Sequence, residues 1–317
     1  MLTAVPPPPN IAPPARGGGG GVYALGMTIL PTGQRFLIES GRYTAVVTEV
    51  GATLRSFTVD GAETLYTFAE DEPAGSKGRQ LVPWPNRIRD GRYTYEGVTR
   101  QLAVNEIDRN TALHGLAQGA AWKLVRQASD EVVLSTVIYP QQGWDWVLEV
   151  TIGHRVDEAG LTVTVEARNL GAGTAPYGYG THPYLSADVA TTRLTLPFAE
   201  ELIVDPERLL PIEVAPVTEE HDFREPRAVG DTFFDTALTG APARWEVVLE
   251  LGDKTIAFWA DETLPWVQVY TNPTRDAIAV EPMTCGPDAF NEGPTRAGLI
   301  TLAPGASTRS VWGIRAS

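Results

Sequence analysis

Between Gly160 and Leu170 the chain reads GLTVTVEARNL, in which Leu161, Val163, Val165 and Ala167 alternate with polar residues. A side-chain period of two is the pattern of a strand with one face in a core and the other in water. The stretches EVVLSTVIYP and WVLEVTIGHRV repeat it. RWEVVLELGDKTIAFWADE reads as two strands joined at Gly252-Asp253, a hairpin signal. RYTAVVTEVGATLRSFTVDG and DGRYTYEGVTRQL add further strands separated by glycine. Helical periodicity is nearly absent, and Asp261 to Leu264 offers at most one turn. No repeat of fixed period suggests a propeller. The expected fold class is therefore all-β, a large antiparallel β-sandwich.

With 317 residues, length alone allows one large β domain or two domains. No Pro/Gly/Ser-rich linker interrupts the chain after residue 30, so residues 27–317 are expected to form one domain. The N-terminal stretch MLTAVPPPPNIAPPARGGGGGVYALGM lacks the apolar region of a secretory signal. Its Pro and Gly runs carry little surface to bury, so residues 1–26 are expected to be a disordered tail, with Met27 as an alternative start. The formal charge of −14 argues against nucleic acid and anionic membranes as partners, since both call for clustered Lys and Arg. No apolar run is long enough to span a bilayer. Cys285 is the only cysteine, so no intrachain disulfide forms and a cytoplasmic location is the expectation.

Four segments break the alternation and gather polar groups. In LVPWPNRIRDGRY, Pro83 and Pro85 bracket Trp84 and make a stiff loop, followed by Asn86, Arg87 and Arg89. An indole face and a guanidinium fork together suit a sugar, with its C–H faces and hydroxyls. In ALHGLAQGAAW, His114 precedes Gly115, a residue that permits close approach of backbone to a ligand. In YGYGTHPYL, Gly178, Gly180 and Pro183 fix an irregular backbone around His182, with Tyr184 beside it. Imidazole exchanges protons readily near neutral pH. In AIAVEPMTCGPDAFN, the apolar run Ala277–Val280 reads as a doubly covered strand ending in Glu281. A carboxylate there is costly unless it is paired or used, and partial burial would make it a better base. At each position the competing reading is structural: an Arg paired to a carboxylate, a His buttressing a loop, a Glu satisfied by N–H groups.

Other chemistries lack their spacing. His114, His154, His182 and His221 form no short ligand pair and the lone Cys adds none, so no metal site is expected. There is no GxSxG elbow, no Gly-rich phosphate loop and no GxGxxG. Cys285 is read as a small buried residue rather than a nucleophile.

Taken together, PWPNRIRDGRY, LHGL with Trp122 after it, GTHPYL, DTFF, VQVYTNP and EPMTCGPDAFN resemble the aldose 1-epimerase (mutarotase) family, in the family's order and over nearly all of the chain after residue 30. The resemblance implies a galactose mutarotase-like supersandwich that interconverts the α and β anomers of free sugars with neither metal nor organic cofactor. It implies that His182 is the general acid and Glu281 the general base. It implies sugar contacts from Arg87 and His114, and from Asp231 as a hydroxyl acceptor, with Asp235 as the alternative; Asn86, Trp84 and Tyr184 in the same segments are expected to contact the sugar as well. Galactose-type members carry Asn-His-Thr-Tyr-Phe where this chain has Thr181 to Leu185, and His where it has Thr232. The spelling is closer to a bacterial branch that includes sulfoquinovose mutarotases, which puts galactose in doubt but not the chemistry.

The expected function is thus anomer interconversion of a hexose-type monosaccharide by acid/base ring opening, in a monomer or homodimer. A hexose-6-phosphate 1-epimerase and a non-catalytic carbohydrate-binding protein are the alternatives. A glycoside hydrolase is less suited, because that chemistry usually uses two carboxylates rather than a His and a Glu.

Overall fold

Alternation of apolar and polar side chains becomes two large antiparallel sheets in the computed structural model, which describes residues 29–69, 71–72 and 74–317. The tail expected over residues 1–26 lies outside the described residues. The larger sheet has nine strands, in the order Lys123–Gln127, Glu131–Ile138, Leu148–Asp157, Gly160–Asn169, Ser307–Ala316, Lys254–Ala260, Trp245–Leu251, Arg193–Thr195 and Arg227–Ala228. The GLTVTVEARNL stretch is one of these, with Leu161, Val163, Val165 and Ala167 all buried. Trp245–Leu251 and Lys254–Ala260 form the hairpin read around Gly252-Asp253, with Leu251 opposite Lys254. The last strand, Ser307–Ala316, lies in the middle of the sheet and pairs with Gly160–Asn169 on one side and Lys254–Ala260 on the other.

The second sheet carries the cleft. Its order is Pro211–Pro216, Glu200–Val204, Asp235–Thr239, Trp266–Thr271, Ala277–Met283, Gly180–Thr181 and Gln80–Leu81, with Tyr184–Ser186 also paired to Ala277–Met283. A four-stranded sheet over Arg35–Glu63 and short ladders complete the fold. Val267, Val269, Ile278 and Val280 of the second sheet and Val132, Leu134, Val150 and Ile152 of the first join one apolar core. Every residue of Ala277–Met283 is buried, as a doubly covered strand requires. Among the described residues the single helical element is a 3-10 turn at Arg296–Gly298; Asp261 to Leu264 closes only a hydrogen-bonded turn. Among the described residues no helix is long and apolar enough to cross a membrane.

Candidate active site

Strand register brings the first polar group together. Gln268 pairs with Glu281 across neighbouring strands, and Tyr270 pairs with Ala279 on one side and Asp235 on the other. Ala279 in turn pairs with Tyr184. Since residues two apart share a face, Asp235, Gln268, Tyr270, Glu281 and Tyr184 project from the face opposite Val267, Val269, Ile278 and Val280. They line a polar cleft of about 280 Å3 together with Asn86, Arg87, Arg109, Leu113, His114 and His182.

The loop residues arrive by a different route. Arg87–Arg89 and Thr111–Leu113 form a short ladder in which Arg87 opposes Leu113. Just beyond it Asn86 (φ +52°) and His114 (φ +63°) both adopt the left-handed conformation that non-glycine residues seldom take. They hold each other there: the His114 N–H donates to the Asn86 carbonyl at 2.8 Å and the Asn86 N–H donates to His114 Nδ1 at 3.2 Å. A ring whose Nδ1 accepts carries its proton on Nε2 when neutral. Burial, then the neighbouring His182 and Arg87, push His114 well below the usual imidazole range, so it is neutral. Its Nε2–H is therefore a fixed donor.

Arg87 is gripped by Glu106, its Nε and Nη2 donating to the two carboxylate oxygens at 2.8 and 2.9 Å. Thr111 Oγ1 donates to the same carboxylate at 2.6 Å, and Arg109 Nη1 at 3.1 Å. Burial acts to raise Glu106, but the hydrogen bonds from Arg87 and Thr111 outweigh it and hold the carboxyl below its usual range. On the opposite wall Gln268 Nε2 donates to Asp235 Oδ1 at 2.8 Å.

At the floor, His182 Nε2 lies 3.3 Å from Glu281 Oε1. Both residues are buried, and His182 Nδ1 and Glu281 Oε2 have no partner. The His182 ring is stacked on Tyr184, 4.9 Å between centroids. Its backbone is pinned to the turn before Gln80–Leu81, with its N–H on the Arg79 carbonyl and its own carbonyl accepting from the Gly78 N–H. Burial, reinforced by Asp235, raises Glu281 well above the carboxylate range. Burial, with Lys77 acting in the same direction, lowers His182 to about 3. Both directions disfavour an ion pair. Burial thus favours an uncharged pair with the shared proton on Glu281, rather than a protonated His182. Burial also raises Tyr184 and Tyr270, with Glu281 and Asp235 adding to both, so these phenols keep their protons.

Six of the eight expected site residues thus converge: His182, Glu281, Arg87, His114, Asn86 and Tyr184. Two do not. Trp84 is 2% exposed, donates its indole N–H to the Ala112 carbonyl and packs edge-on to Phe290, so it is core and no sugar platform. Asp231 is exposed and outside the cleft, whereas Asp235, the alternative, lines it. Gly115 (φ +76°) serves the fold rather than a ligand: a Cβ there would sit 2.1 Å from the Val82 carbonyl oxygen. Gly178 and Gly180 likewise let this loop pack on Pro85. Cys285 is buried beneath Gly178, and burial pushes its thiol up to about 12. Gln268, Tyr270, Arg109 and Glu106 were missed. For the first two the signal was present, since in WVQVYT they alternate with Val267 and Val269. Among the described residues no three His, Cys, Asp or Glu side chains converge as a metal site requires.

Two large antiparallel sheets packed on one apolar core are the fold of galactose mutarotase-like proteins. The chain belongs to the aldose 1-epimerase family, whose model matches residues 34–315. It is 31% identical over 270 residues to the uncharacterised Escherichia coli (strain K12) protein YihR, covering 83% of this chain and 87% of that one. In structure it is similar to a galactose mutarotase-like protein from Clostridium acetobutylicum, with a TM-score of 0.81 at 18% identity, covering 89% of this chain and 94% of that one. A galactose 1-epimerase from Lactobacillus acidophilus NCFM gives a TM-score of 0.75 at 19% identity, covering 89% and 94%.

Proposed function

We propose that this protein interconverts the α and β anomers of a free hexose-type sugar by acid/base ring opening and closure, with Glu281 and His182 exchanging the protons. The observation that carries this reading is the buried pair itself: two groups of opposite proton appetite, 3.3 Å apart, each with an unpartnered atom, at the floor of a cleft sized for one sugar ring. Opening needs one proton removed from O1 and one delivered to the ring oxygen as the C1–O5 bond breaks and C1=O1 forms. Glu281 takes the first and His182 supplies the second. That step leaves the proton on Glu281 and His182 neutral, the allocation that burial favours. After rotation about C1–C2 the other face of the aldehyde recloses with the roles reversed. The pair therefore has to hold one proton, and the cycle visits both places for it. Arg87, His114, Asn86, Asp235 and Gln268 supply donors and acceptors for the remaining hydroxyls and hold the open form in place.

Polarimetry of freshly dissolved α-glucose, α-galactose and sulfoquinovose tests this. Wild type should speed relaxation, while Glu281→Gln and His182→Ala should each lose at least about 100-fold. Near wild-type rates in either variant would remove that residue from the mechanism. One observation favours a second reading, a hexose-6-phosphate 1-epimerase: two guanidiniums, Arg87 and Arg109, line the cleft side by side on the one Glu106 carboxylate. A clear preference for glucose 6-phosphate over glucose in the same assay would establish it.

A further inference from the structure

The string PDAFN ends the segment that carries Glu281, yet none of its residues lines the cleft. Its place is behind Arg87. Residues two apart present their N–H and C=O groups to the same edge of a strand. Asn86 gives its carbonyl to His114, on the side of Thr111–Leu113, so Arg87 and Arg89 turn their polar groups to the opposite edge. Among the described residues no strand pairs with that edge. Asp288 takes the place of one: its N–H donates to the Arg87 carbonyl at 2.8 Å, and its Oδ1 accepts the Arg89 N–H at 2.8 Å. Oδ1 also accepts from Asn291 Nδ2 at 2.8 Å, and Oδ2 lies 3.3 Å from Arg89 Nη2. In this position Asp288 has φ +60°, a left-handed conformation that Asp tolerates better than most residues.

The segment that carries this clasp is itself fixed. Every residue from Glu281 to Phe290 is buried. Thr284 Oγ1 accepts the Tyr179 N–H at 2.9 Å, Thr295 Oγ1 donates to the Pro287 carbonyl at 2.6 Å, and Phe290 packs edge-on against both Trp84 and Tyr93. Glu106 orients the guanidinium of Arg87, but the hold on its backbone comes from the strand that bears Glu281. We infer that Asp288 is a positioning residue for Arg87, setting it relative to Glu281 so that a hydroxyl held by Arg87 and O1 at Glu281 belong to one bound sugar, an inference that rests on the epimerase reading above. What the Arg87 strand uses is the acceptor and the left-handed backbone of Asp288 rather than its charge. The Arg89 side chain is 44% exposed, so its guanidinium has water as an alternative partner.

Kinetics on the fastest sugar of the polarimetric assay test this. Asp288→Ala leaves the Arg89 N–H without its acceptor and strains a left-handed position, so KM should rise about tenfold with kcat within about twofold of wild type. Asp288→Asn keeps the acceptor and suits the left-handed backbone, so KM should return to within about twofold of wild type. In an Arg87→Ala background Asp288→Ala should leave KM unmoved, because no guanidinium remains to be misplaced. A rise of the same size in that background, or a lower urea midpoint with KM unchanged, makes Asp288 a merely structural residue and overturns the assignment while the epimerase reading stands. If Asp288→Ala does not fold, Asn291→Ala removes one donor from Oδ1 and should raise KM about threefold, again only where Arg87 is present. No rise in that variant overturns the assignment as well. No acceleration of any sugar by wild type overturns both readings.

Discussion

Glu106 does more for the cleft than its absence from the chemistry suggests. It orients Arg87 through both carboxylate oxygens and also holds Arg109, with Thr111 completing the cluster. Glu106→Gln keeps the shape but frees the guanidinium of Arg87, so KM should rise roughly tenfold, about 1.4 kcal/mol of binding, with kcat nearly kept. Michaelis kinetics on the best sugar check this; a fall in kcat at constant KM would mean that Arg87 acts on the transition state instead. Glu106 was invisible in the sequence because nothing in NEID marks one carboxylate among 39 acidic residues as the partner of a loop arginine. His182 and Glu281 were legible because each interrupts an otherwise structural string. Asp231 and Asp235 were not separable, since the choice depends on where Asp235–Thr239 begins to pair with Trp266–Thr271. Trp84 misled for a related reason: flanking prolines mark a loop but do not reveal that the loop folds inward over Phe290.

At the level of elements, strands with clear period two were read correctly, as was the short Arg92–Tyr95 and Val98–Gln101 ladder, whereas the ladder that carries Arg87 was not. Arg87–Arg89 and Thr111–Leu113 are only three residues each, too short for a period to register, yet they carry Arg87 and set Asn86 and His114 in place. Their position depends on Gly115, which passes so close to Val82 that Leu116 N–H donates to the Val82 carbonyl at 2.7 Å. Gly115→Ala combines a positive φ with a backbone clash. It should cost about 2 kcal/mol or more and displace His114. Urea unfolding and kcat/KM together test this, and a variant matching wild type in both would show that the loop can yield without consequence.

The whole molecule carries a built-in sensitivity to acid. His154 is fully buried between Val132 and Val163 on neighbouring strands, with neither ring nitrogen partnered. Burial lowers it from 6.5 to about 3, the same value reached by His182. Between those pH values the unfolded chain binds protons that the folded one refuses, so stability falls as pH drops below 6.5 and goes on falling towards 3. Each such histidine contributes up to about 1.4 kcal/mol per pH unit. In His154→Leu the stability lost between pH 7 and 4.5 should be smaller than in wild type by about 2 kcal/mol, read from denaturant midpoints at the two values. An equal loss in both would mean that His154 titrates normally in the fold. The position of Ser307–Ala316 has a different consequence, one of timing. Because that strand fills the centre of the nine-stranded sheet, Gly160–Asn169 must wait with an unpaired edge while residues 170–306 are synthesised. For the length of that interval the nascent chain exposes the kind of edge to which other chains add, so in a crowded cell the protein's yield rests on how that edge is shielded before the last strand arrives.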